Sequence, residues 1–326
     1  MRRNKINSRV EIDLAAKALV EAETIAMACH VGPDGDALGS MLAVAHAARA
    51  EGKRVQPSFG PPFELRPAYG FLPVELLVPP AEVDPEPELM ITFDSGHLDR
   101  LGDLAANAKA ARRVIVVDHH VAGSEIFGDI NVIDSSVSST AELTFHLLEA
   151  AGWSIDQRAA ICLLTGVVTD TGRFQYSNTS PETLRVAARL LELGARPETI
   201  GQHVYEEEAF GFLGVAGAVL QRAELVATEG LVWSVLYQSD LSAHGVTLAD
   251  TDSLIDLVRL PIEADTAVLL KEHEPGLFKA SLRSRGRIDV GAIAALLGGG
   301  GHHNAAGFTF NGSPEDALAA VVALLP

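Results

Sequence analysis

Acidic and histidine side chains follow four separate apolar runs of the sequence. They are His30, Asp34 and Asp36 after the first run, Asp94 after the second, Asp118, His119 and His120 after the third, and Asp170 after the fourth. Hard divalent ions prefer carboxylate oxygens, and imidazole adds affinity for more transition-like metals, so a set without Cys suits Mn²⁺ better than Zn²⁺ or Ca²⁺. The set is large enough for two ions about 3.5 to 4 Å apart if one carboxylate bridges them, an arrangement that hydrolyses phosphoesters.

Each of these residues also has an ordinary structural explanation. An aspartate after a strand is usually a turn or a helix cap, and a lone histidine is usually a satisfied polar residue. Asp36, for example, is well placed to cap a helix that runs to Gly52. The coincidence of four such segments weighs against this explanation for the whole set, and it favours a two-metal phosphoesterase.

Short apolar strands have to position these side chains at one site. The segments Thr24–Cys29, Leu89–Phe93 and 114–117 are predicted as buried strands. Segment 159–168 is predicted as a helix, because its apolar residues run too long for a typical strand and lack strict alternation. Strands and helices alternate along this half of the chain, which indicates a parallel sheet whose carboxyl edge would gather the ligands.

The length of 326 residues suits two domains. We predict an α/β fold in which residues 1–195 form a catalytic domain, a mostly parallel sheet with helices on both faces. Residues 196–212 are predicted as a connector. Residues 213–326 are predicted as a smaller mixed α/β domain that binds the substrate, with the active site in the cleft between the two domains.

The charge of the chain limits its partners. Lys and Arg number 25 against 43 Asp and Glu, a formal net charge of −18, which counts against a protein that coats long nucleic acid. Part of the acid excess belongs to the candidate ligands, and bound cations would offset it, so a small anionic substrate remains open. The two cysteines have no spacing typical of a disulfide framework or a structural zinc site.

The hydrophobic pattern of the sequence indicates where in the cell the protein is located. The sequence has no charge-free apolar run of the length that spans a bilayer, and Glu11 and Asp13 precede any apolar core of a signal peptide. We therefore predict a cytoplasmic protein without a membrane partner. Whether the chain forms a homodimer stays open.

A run of four glycines, Gly298 to Gly301, precedes His302. The end of a helix at Leu297 explains one glycine but not four. Residues without a Cβ also let backbone N–H groups approach a phosphate closely. We therefore predict that Gly299, Gly300, Gly301 and His302 contact the substrate.

Three arginines alternate just upstream, at Arg283, Arg285 and Arg287. Alternation would place them on one side if the strand continues through them. Guanidinium groups suit bidentate recognition of phosphate, although an ordinary solvated edge strand is the alternative. We predict Arg283 and Arg285 as substrate-binding residues.

Taken together, the motifs resemble those of the DHH phosphoesterases. The resemblance rests on His30-x-x-x-Asp34-x-Asp36, Asp94, Asp118-His119-His120 and Thr169-Asp170-Thr171-Gly172. The tripeptide alone is weak, but the four motifs in order are specific. Segment 298–307 resembles the glycine-rich motif of the DHH-associated domain, and the Ser-x-Arg-Ser stretch around Arg283 is similar to one in that domain.

The resemblance implies two bound Mn²⁺ ions, with Mg²⁺ as the alternative. By position, one ion would be held by His30 and Asp34, the other by Asp36, His119 and Asp170, with Asp94 bridging the two. Asp118 would orient a ligand without binding metal itself. His120 would face the scissile phosphate and either stabilise its charge or donate a proton to the leaving oxygen.

The short bifunctional subgroup, oligoribonucleases with PAP phosphatase activity, is the most similar. It implies hydrolysis of short single-stranded RNA and dinucleotides to 5′-mononucleotides, and removal of the 3′-phosphate from 3′-phosphoadenosine 5′-phosphate (PAP). Linear or cyclic dinucleotides and pyrophosphate are alternative substrates, and a nucleotide-binding sensor without turnover is the non-enzyme alternative. The glycine-rich motif argues against a pyrophosphatase, and the full set of metal-binding residues argues against a sensor.

Overall fold

The computed structural model describes residues 2–120 and 127–326. The chain divides into two compact units, Met1–Glu206 and Glu207–Pro326. The division lies within segment 196–212, the predicted connector. Each unit has its own sheet and its own apolar core, as a domain requires.

The first unit is built on a parallel sheet. Its strands in the described part of the chain are β1 (Thr24–Cys29), β2 (Arg54–Phe59), β3 (Leu89–Phe93), β4 (Val114–Asp118) and β5 (Ile130–Ile133). They lie in the order β2-β1-β3-β4-β5, and the neighbouring strands pair in parallel. The central strands are continuous apolar runs because both faces of the sheet are buried. The predicted parallel sheet is confirmed.

Helices cover both faces of this sheet. They are α1 (Arg2–Glu21), α2 (Gly35–Ala50), α3 (Ala105–Ala110), α4 (Thr140–Ala151), α5 (Gln157–Asp170), α6 (Pro181–Glu192) and α7 (Pro197–Gly201). Side chains alternate along β1, so that Ile25 and Met27 pack in one core with α1, α2, α4 and α5, whereas Ala26 and Ala28 face the layer of Leu101. Short 3₁₀ turns at Pro67–Tyr69, Pro80–Glu82 and Leu98–Leu104 and a π-helical turn at Gln202–Glu206 join these elements.

The strand order creates one crevice at the carboxyl edge of the sheet. β1 lies between β2 and β3, so the chain leaves the ends of β1 and β3 toward opposite sides of the sheet. Doubly wound sheets of this order bind ligands at that switch point. His30 directly follows β1 and Asp94 directly follows β3, so the topology alone brings two candidate ligands to the crevice.

Close packing of α2 against α5 also brings a candidate ligand to the carboxyl edge of the sheet. A Cβ at Gly39 of α2 would lie 2.3 Å from the carbonyl oxygen of Cys162 in α5. A Cβ at Gly166 of α5 would lie 2.7 Å from Oδ1 of Asp36. Only glycine permits so close an approach, and it places Asp170, the last residue of α5, beside the start of α2.

The first turn of α2 is capped by Asp34. Its Oδ1 accepts hydrogen bonds from the backbone N–H groups of Asp36 and Ala37, each at 3.0 Å. The prediction that Asp36 caps this helix is wrong. The helix begins at Gly35, so Asp36 lies within the first turn, and its carboxylate accepts hydrogen bonds from the start of α4 instead.

The second unit is built on a mixed sheet of order β10-β11-β9-β8-β7-β6, in which β7 and β8 pair in parallel and the other neighbours are antiparallel. The strands are β6 (Glu224–Val226), β7 (Leu231–Leu236), β8 (Thr266–Glu274), β9 (Leu277–Ser284), β10 (Gly300–His302) and β11 (Ala305–Asn311). The helices are α8 (Gly211–Gln221), α9 (Gln238–His244), α10 (Leu254–Val258), α11 (Val290–Leu296) and α12 (Pro314–Val322), with a 3₁₀ turn at Leu248–Thr251.

The predicted mixed α/β fold of the second half is confirmed. β6 and β10 are short edge strands, and β10 is too rich in glycine to show apolar alternation. Within the described residues of both units, none of the helices is both long enough and apolar enough to cross a membrane.

A buried glutamate fixes the start of α4. Glu142 is 2% exposed, and its Oε2 accepts hydrogen bonds from the Ser138 N–H at 3.2 Å, the Ser138 hydroxyl at 2.5 Å and the Thr183 hydroxyl at 2.8 Å. Thr183 belongs to the capping box that begins α6. One carboxylate therefore ties the loop before α4 to α6.

We expect Glu142→Ala to lower the free energy of unfolding by roughly 2–4 kcal/mol, because it leaves buried hydroxyl and N–H groups without an acceptor. Denaturant unfolding measures the change. Glu149→Ala is the matched control, since Glu149 is an exposed residue of the same helix and its loss should change stability by less than about 0.5 kcal/mol. Similar losses in the two variants would contradict the anchoring role.

Candidate metal centre

Six predicted metal ligands meet at the carboxyl edge of the first sheet. They are His30, Asp34, Asp36, Asp94, His119 and Asp170. The ligand atoms of His30, Asp34 and Asp94 lie within 4.8 Å of one another, and so do those of a second group made of Asp36, Asp94 and His119. Asp170 joins the second group, with Oδ2 at 3.5 Å from Nε2 of His119. Each group has the donor atoms that one divalent ion requires.

Asp94 belongs to both groups. Its Oδ2 lies 3.4 Å from Nε2 of His30, and its Oδ1 lies 3.7 Å from Nε2 of His119. Its backbone has a φ of 55°, in the left-handed region, which costs most residues about 1–2 kcal/mol and is tolerated best by Gly, Asn and Asp. In this conformation one carboxylate presents each of its oxygens to a different group.

The ring of His30 is oriented for metal binding. Its Nδ1 lies 3.0 Å from the carbonyl oxygen of Val31. A carbonyl group only accepts, so Nδ1 carries the proton and Nε2 turns its lone pair toward Asp34 and Asp94. Metal-binding histidines usually donate their second ring N–H in this way.

The distances between these atoms suit ions shared between them. Nε2 of His30 lies 3.9 Å from Oδ1 of Asp34, and Nε2 of His119 lies 3.9 Å from Oδ2 of Asp36. Direct N–H···O hydrogen bonds would be about 2.7–3.2 Å long. Atoms that each bind one ion at about 2.0–2.2 Å are separated by roughly 3–4 Å. The residues present therefore fit divalent metal ions.

The N-terminus of α4 holds the carboxylate of Asp36. Oδ2 accepts the N–H of Thr140 at 2.7 Å, and Oδ1 accepts the N–H of Ala141 at 2.8 Å. The hydroxyl of Thr140 also donates to Oδ1 of Asp94 at 3.0 Å. A helix N-terminus stabilises negative charge, so α4 both orients and stabilises these carboxylates. No local pattern in the sequence marked this contact, because Asp36 lies more than 100 residues before the helix that binds it.

Asn178 connects the fourth motif to the same place. Its Nδ2 donates to the carbonyl oxygen of Ser138 at 2.8 Å and to that of Asp170 at 3.1 Å. Asp170 ends α5, where the helix dipole disfavours a negative charge, and the hydrogen bond from Asn178 fixes the backbone of this residue. No sequence signal marked Asn178, because one of its two partners, Ser138, lies 40 residues earlier in the chain.

Burial and like charge act together on the carboxylates. Burial, and then the charge of Asp94, raise the pKa of Asp36 and of Asp170 well above the ordinary value. Burial alone would raise the pKa of Asp94 too, but the neighbouring imidazoles, His30 foremost, hold it below the ordinary value. Bound divalent cations relieve such repulsion, because they favour the charged form of every carboxylate around them.

Asp118 and His120 form a separate pair beside the two groups. Nδ1 of His120 lies 2.7 Å from Oδ1 of Asp118, which also accepts the backbone N–H of His120 at 3.1 Å. Burial alone would lower the pKa of His120, but the hydrogen bond to Asp118 and the charge of Asp94 raise it to about 9. Asp118 therefore orients His120, whereas the resemblance to the family implied that it orients a ligand.

Packing explains two of the glycines before His302. Carbonyl oxygens of β11 would lie 2.1 Å from a Cβ at Gly299 and 2.5 Å from a Cβ at Gly301. These glycines let β10 pair closely with β11. Gly300 is different, because the space around its Cβ position is open and the residue is exposed. The predicted contact with substrate stays a prediction for the run, and Gly300 and the exposed His302 are its best candidates.

The alternating arginines do not share one strand. β9 ends at Ser284, so Arg283 lies in the strand and the later arginines lie beyond it. The guanidinium of Arg285 donates to the three consecutive carbonyl groups of 259–261 at 3.0 to 3.1 Å. Arg285 therefore stabilises a loop, and Arg283 is the stronger candidate for a substrate contact.

Comparison with known proteins agrees with this arrangement. Residues 24–167 match the DHH family, N-terminal domain, and residues 233–325 match the DHHA1 domain. The bifunctional oligoribonuclease and PAP phosphatase NrnA of Thermus thermophilus is 34% identical over 305 residues, which cover 93% of this chain and 89% of that protein. The Bacillus subtilis protein of the same name is 28% identical over 294 residues, or 87% of this chain and 88% of that protein.

A solved structure is similar along the whole chain. It is that of an exopolyphosphatase-related protein from Bacteroides fragilis, with a TM-score of 0.87 and 26% sequence identity over 97% of this chain and 96% of that one. The motif residues, their meeting at one sheet edge and the relatives all point to one family. The chain belongs to the metal-dependent DHH family of phosphoesterases and has a DHHA1 domain in its second half.

Proposed function

We propose that the chain is a Mn²⁺-dependent phosphodiesterase and phosphatase that uses two metal ions. Its substrates are very short RNA oligonucleotides, from which it releases 5′-mononucleotides, and PAP, from which it removes the 3′-phosphate. The observation that carries the proposal is the position of Asp94, whose two oxygens lie 3.4 Å and 3.7 Å from the imidazoles of two separate groups. The names of the Thermus and Bacillus relatives support the substrate class.

The two groups define the metal-binding roles. His30 and Asp34 would hold one ion, and Asp36, His119 and Asp170 the other, with Asp94 between them. Divalent ions, when bound there, supply neutralisation of the phosphoryl charge and activation of water. The chain itself fixes the carboxylates through the N–H groups and hydroxyl at the start of α4, so little reorganisation is needed when substrate arrives.

His120 is the candidate proton donor. Its Nδ1 is engaged by Asp118, which leaves Nε2 as the atom that can give up a proton. A water molecule that has given one proton to bulk solvent attacks as hydroxide; as its oxygen forms the bond to phosphorus, the bond to the leaving oxygen breaks, and that oxygen takes its proton from Nε2. Asp118 then stabilises the orientation and the charge of the imidazole before transfer.

The second unit supplies the candidate residues that bind the substrate. Arg283 and His302 offer a guanidinium and an imidazole, which bind phosphate, and the exposed Gly300 leaves open space beside its backbone for a phosphate group. The net charge of −18 disfavours binding to a long polyanion, so local contacts of this kind favour substrates of a few nucleotides.

The direct test measures hydrolysis of a labelled RNA dinucleotide, PAP and pyrophosphate side by side, in Mn²⁺ and in chelator. We expect turnover of the two nucleotide substrates in Mn²⁺, none in chelator and none of pyrophosphate. Turnover of pyrophosphate alone would replace the proposal with a pyrophosphatase. Inactivity toward all three would leave cyclic dinucleotides or a binding role.

We expect His120→Gln to lower kcat on the RNA dinucleotide by roughly 10²–10⁴-fold, because the ribose oxygen leaves poorly without a proton. Bis(p-nitrophenyl) phosphate should be affected far less, since p-nitrophenolate leaves unprotonated. His146→Gln, on the outer side of α4, is the matched control and should change neither rate. Equal losses on the two substrates would rule out proton donation to the leaving oxygen.

The variants Arg283→Gln and Arg285→Gln distinguish an arginine that binds substrate from one that stabilises a loop. We expect Arg283→Gln to raise KM for nucleotides roughly tenfold, the effect of one lost charge-assisted hydrogen bond, with unchanged stability. Arg285→Gln should lower the melting temperature, because its three carbonyl partners lose their donor, and leave KM nearly unchanged. The reverse pattern in kinetics and thermal unfolding would assign phosphate binding to Arg285.

A further inference from the structure

The turn that follows Asp170 has an uncommon backbone. Gly172, Arg173 and Phe174 have φ values of 54°, 62° and 64°, so three consecutive residues lie in the left-handed region. In the described part of the chain, the non-glycine residues with positive φ are Asp94, Arg173 and Phe174. Such conformations cost energy and occur mainly where a site requires them. Among the described residues, the non-glycine positions with a left-handed backbone therefore lie at the metal centre and immediately after it.

Several contacts hold this turn in place. The N–H of Arg173 donates to the carbonyl oxygen of Val168 at 2.8 Å, and the N–H of Phe174 donates to the hydroxyl of Thr171 at 3.0 Å. The ring of Tyr176 covers Gly172 so closely that a Cβ there would lie 2.4 Å from it. The turn is a built feature that fixes the direction in which the side chain of Arg173 leaves the backbone.

The guanidinium of Arg173 lies on an aromatic ring. Its central carbon is 4.6 Å from the centroid of Tyr205, a cation–π contact that leaves the N–H donors at the edge of the plane unused. Within the described residues, the Arg173 side chain makes no hydrogen bond or ion pair, not even with Asp170 three residues earlier. An exposed arginine beside an acidic site, held in place but unpaired, is ready to bind an anion.

Tyr205 is itself part of a fixed wall of the first unit. Its π-helical turn packs against the 3₁₀ turn that carries Tyr69. The rings of Phe71 and His203 stack between these segments, with centroids 4.9 Å apart and planes within 9°. A second cation, Arg66, lies 5.6 Å over the ring of Tyr69, and Tyr69 is buried next to the loop of Asp34. This wall therefore combines aromatic rings with positive charge close to the metal centre.

We propose that Arg173, held on Tyr205, binds a phosphate group of the substrate other than the one being hydrolysed. This inference rests on the proposed function and adds to it a specificity contact in the first unit. A planar guanidinium with free N–H donors matches the oxygens of a phosphodiester in a bidentate way. The contact favours substrates with a second phosphodiester linkage over those with only the scissile one.

The location of the guanidinium distinguishes this role from contact with the scissile phosphate. A group that stabilised the reacting phosphorus would lie over the ligands, within reach of Asp170. Arg173 instead extends over Tyr205, on the segment that leads toward the second unit. The linkage next to the reacting one is the part of an oligonucleotide that continues away from the metal centre.

The test compares Arg173→Gln with the unaltered protein on two RNA substrates without terminal phosphates, a dinucleoside monophosphate and the corresponding trinucleotide. The first contains only the scissile phosphate, and the second contains one more. We expect KM for the trinucleotide to rise roughly tenfold, the value for one charge-assisted hydrogen bond, and KM for the dinucleotide to stay unchanged. The slope of log kcat/KM against log salt on the trinucleotide should also become shallower by about 0.7, the loss of one phosphate contact.

Two further variants control the comparison. Arg185→Gln removes a surface arginine of α6 that pairs with Glu182, and it should leave both KM values and the salt slope unchanged. Tyr205→Leu removes the ring that holds the guanidinium and should raise KM on the trinucleotide only. Equal effects of Arg173→Gln on both substrates, or none on either, would overturn the inference. Failure of the unaltered protein to cleave either RNA would instead count against the proposed function.

Discussion

Repulsion between buried carboxylates is the constraint that the first unit has to satisfy. Asp36 and Asp94 are 1% and 3% exposed, and both lie near Asp34 and Asp170. Taking several like charges out of water is unfavourable unless donors and cations surround them. Much of the local structure supplies these donors, from the N-terminus of α4 to the imidazoles that face Asp94.

The fold brings the carboxylates together by different physical means. The order of the parallel strands places the residues after β1 and β3 at one crevice. The close packing at Gly39 and Gly166 allows α5 to deliver Asp170 from a helix terminus. Two further residues then fix the distances between the ligands. Glu142 sets the start of α4, and Asn178 joins the backbone of Asp170 to that of Ser138 in the loop before α4. A metal site of this kind depends on buried polar contacts well beyond its ligands.

The sequence predicted the parts of this structure that depend on local pattern. Apolar runs located the central strands, and the acidic and histidine residues after them located the site. It failed where a residue is used by a distant partner: Asp36 accepts from α4 and leaves the capping of α2 to Asp34. Likewise, Arg285 binds backbone carbonyls far along the chain, and the glycines around β10 are explained in part by the strand they pair with. Local periodicity and propensity carry no record of such long-range contacts.

The proposed chemistry requires that Asp94 lies between two metal ions. Diffraction from crystals grown with Mn²⁺, recorded at the Mn absorption edge, can locate these ions. We expect two anomalous peaks about 3.5 to 4 Å apart, one beside His30 and Asp34 and one beside Asp36, His119 and Asp170, with a carboxylate oxygen of Asp94 directed at each. A single peak, or two peaks of which neither contacts Asp94, would contradict this arrangement.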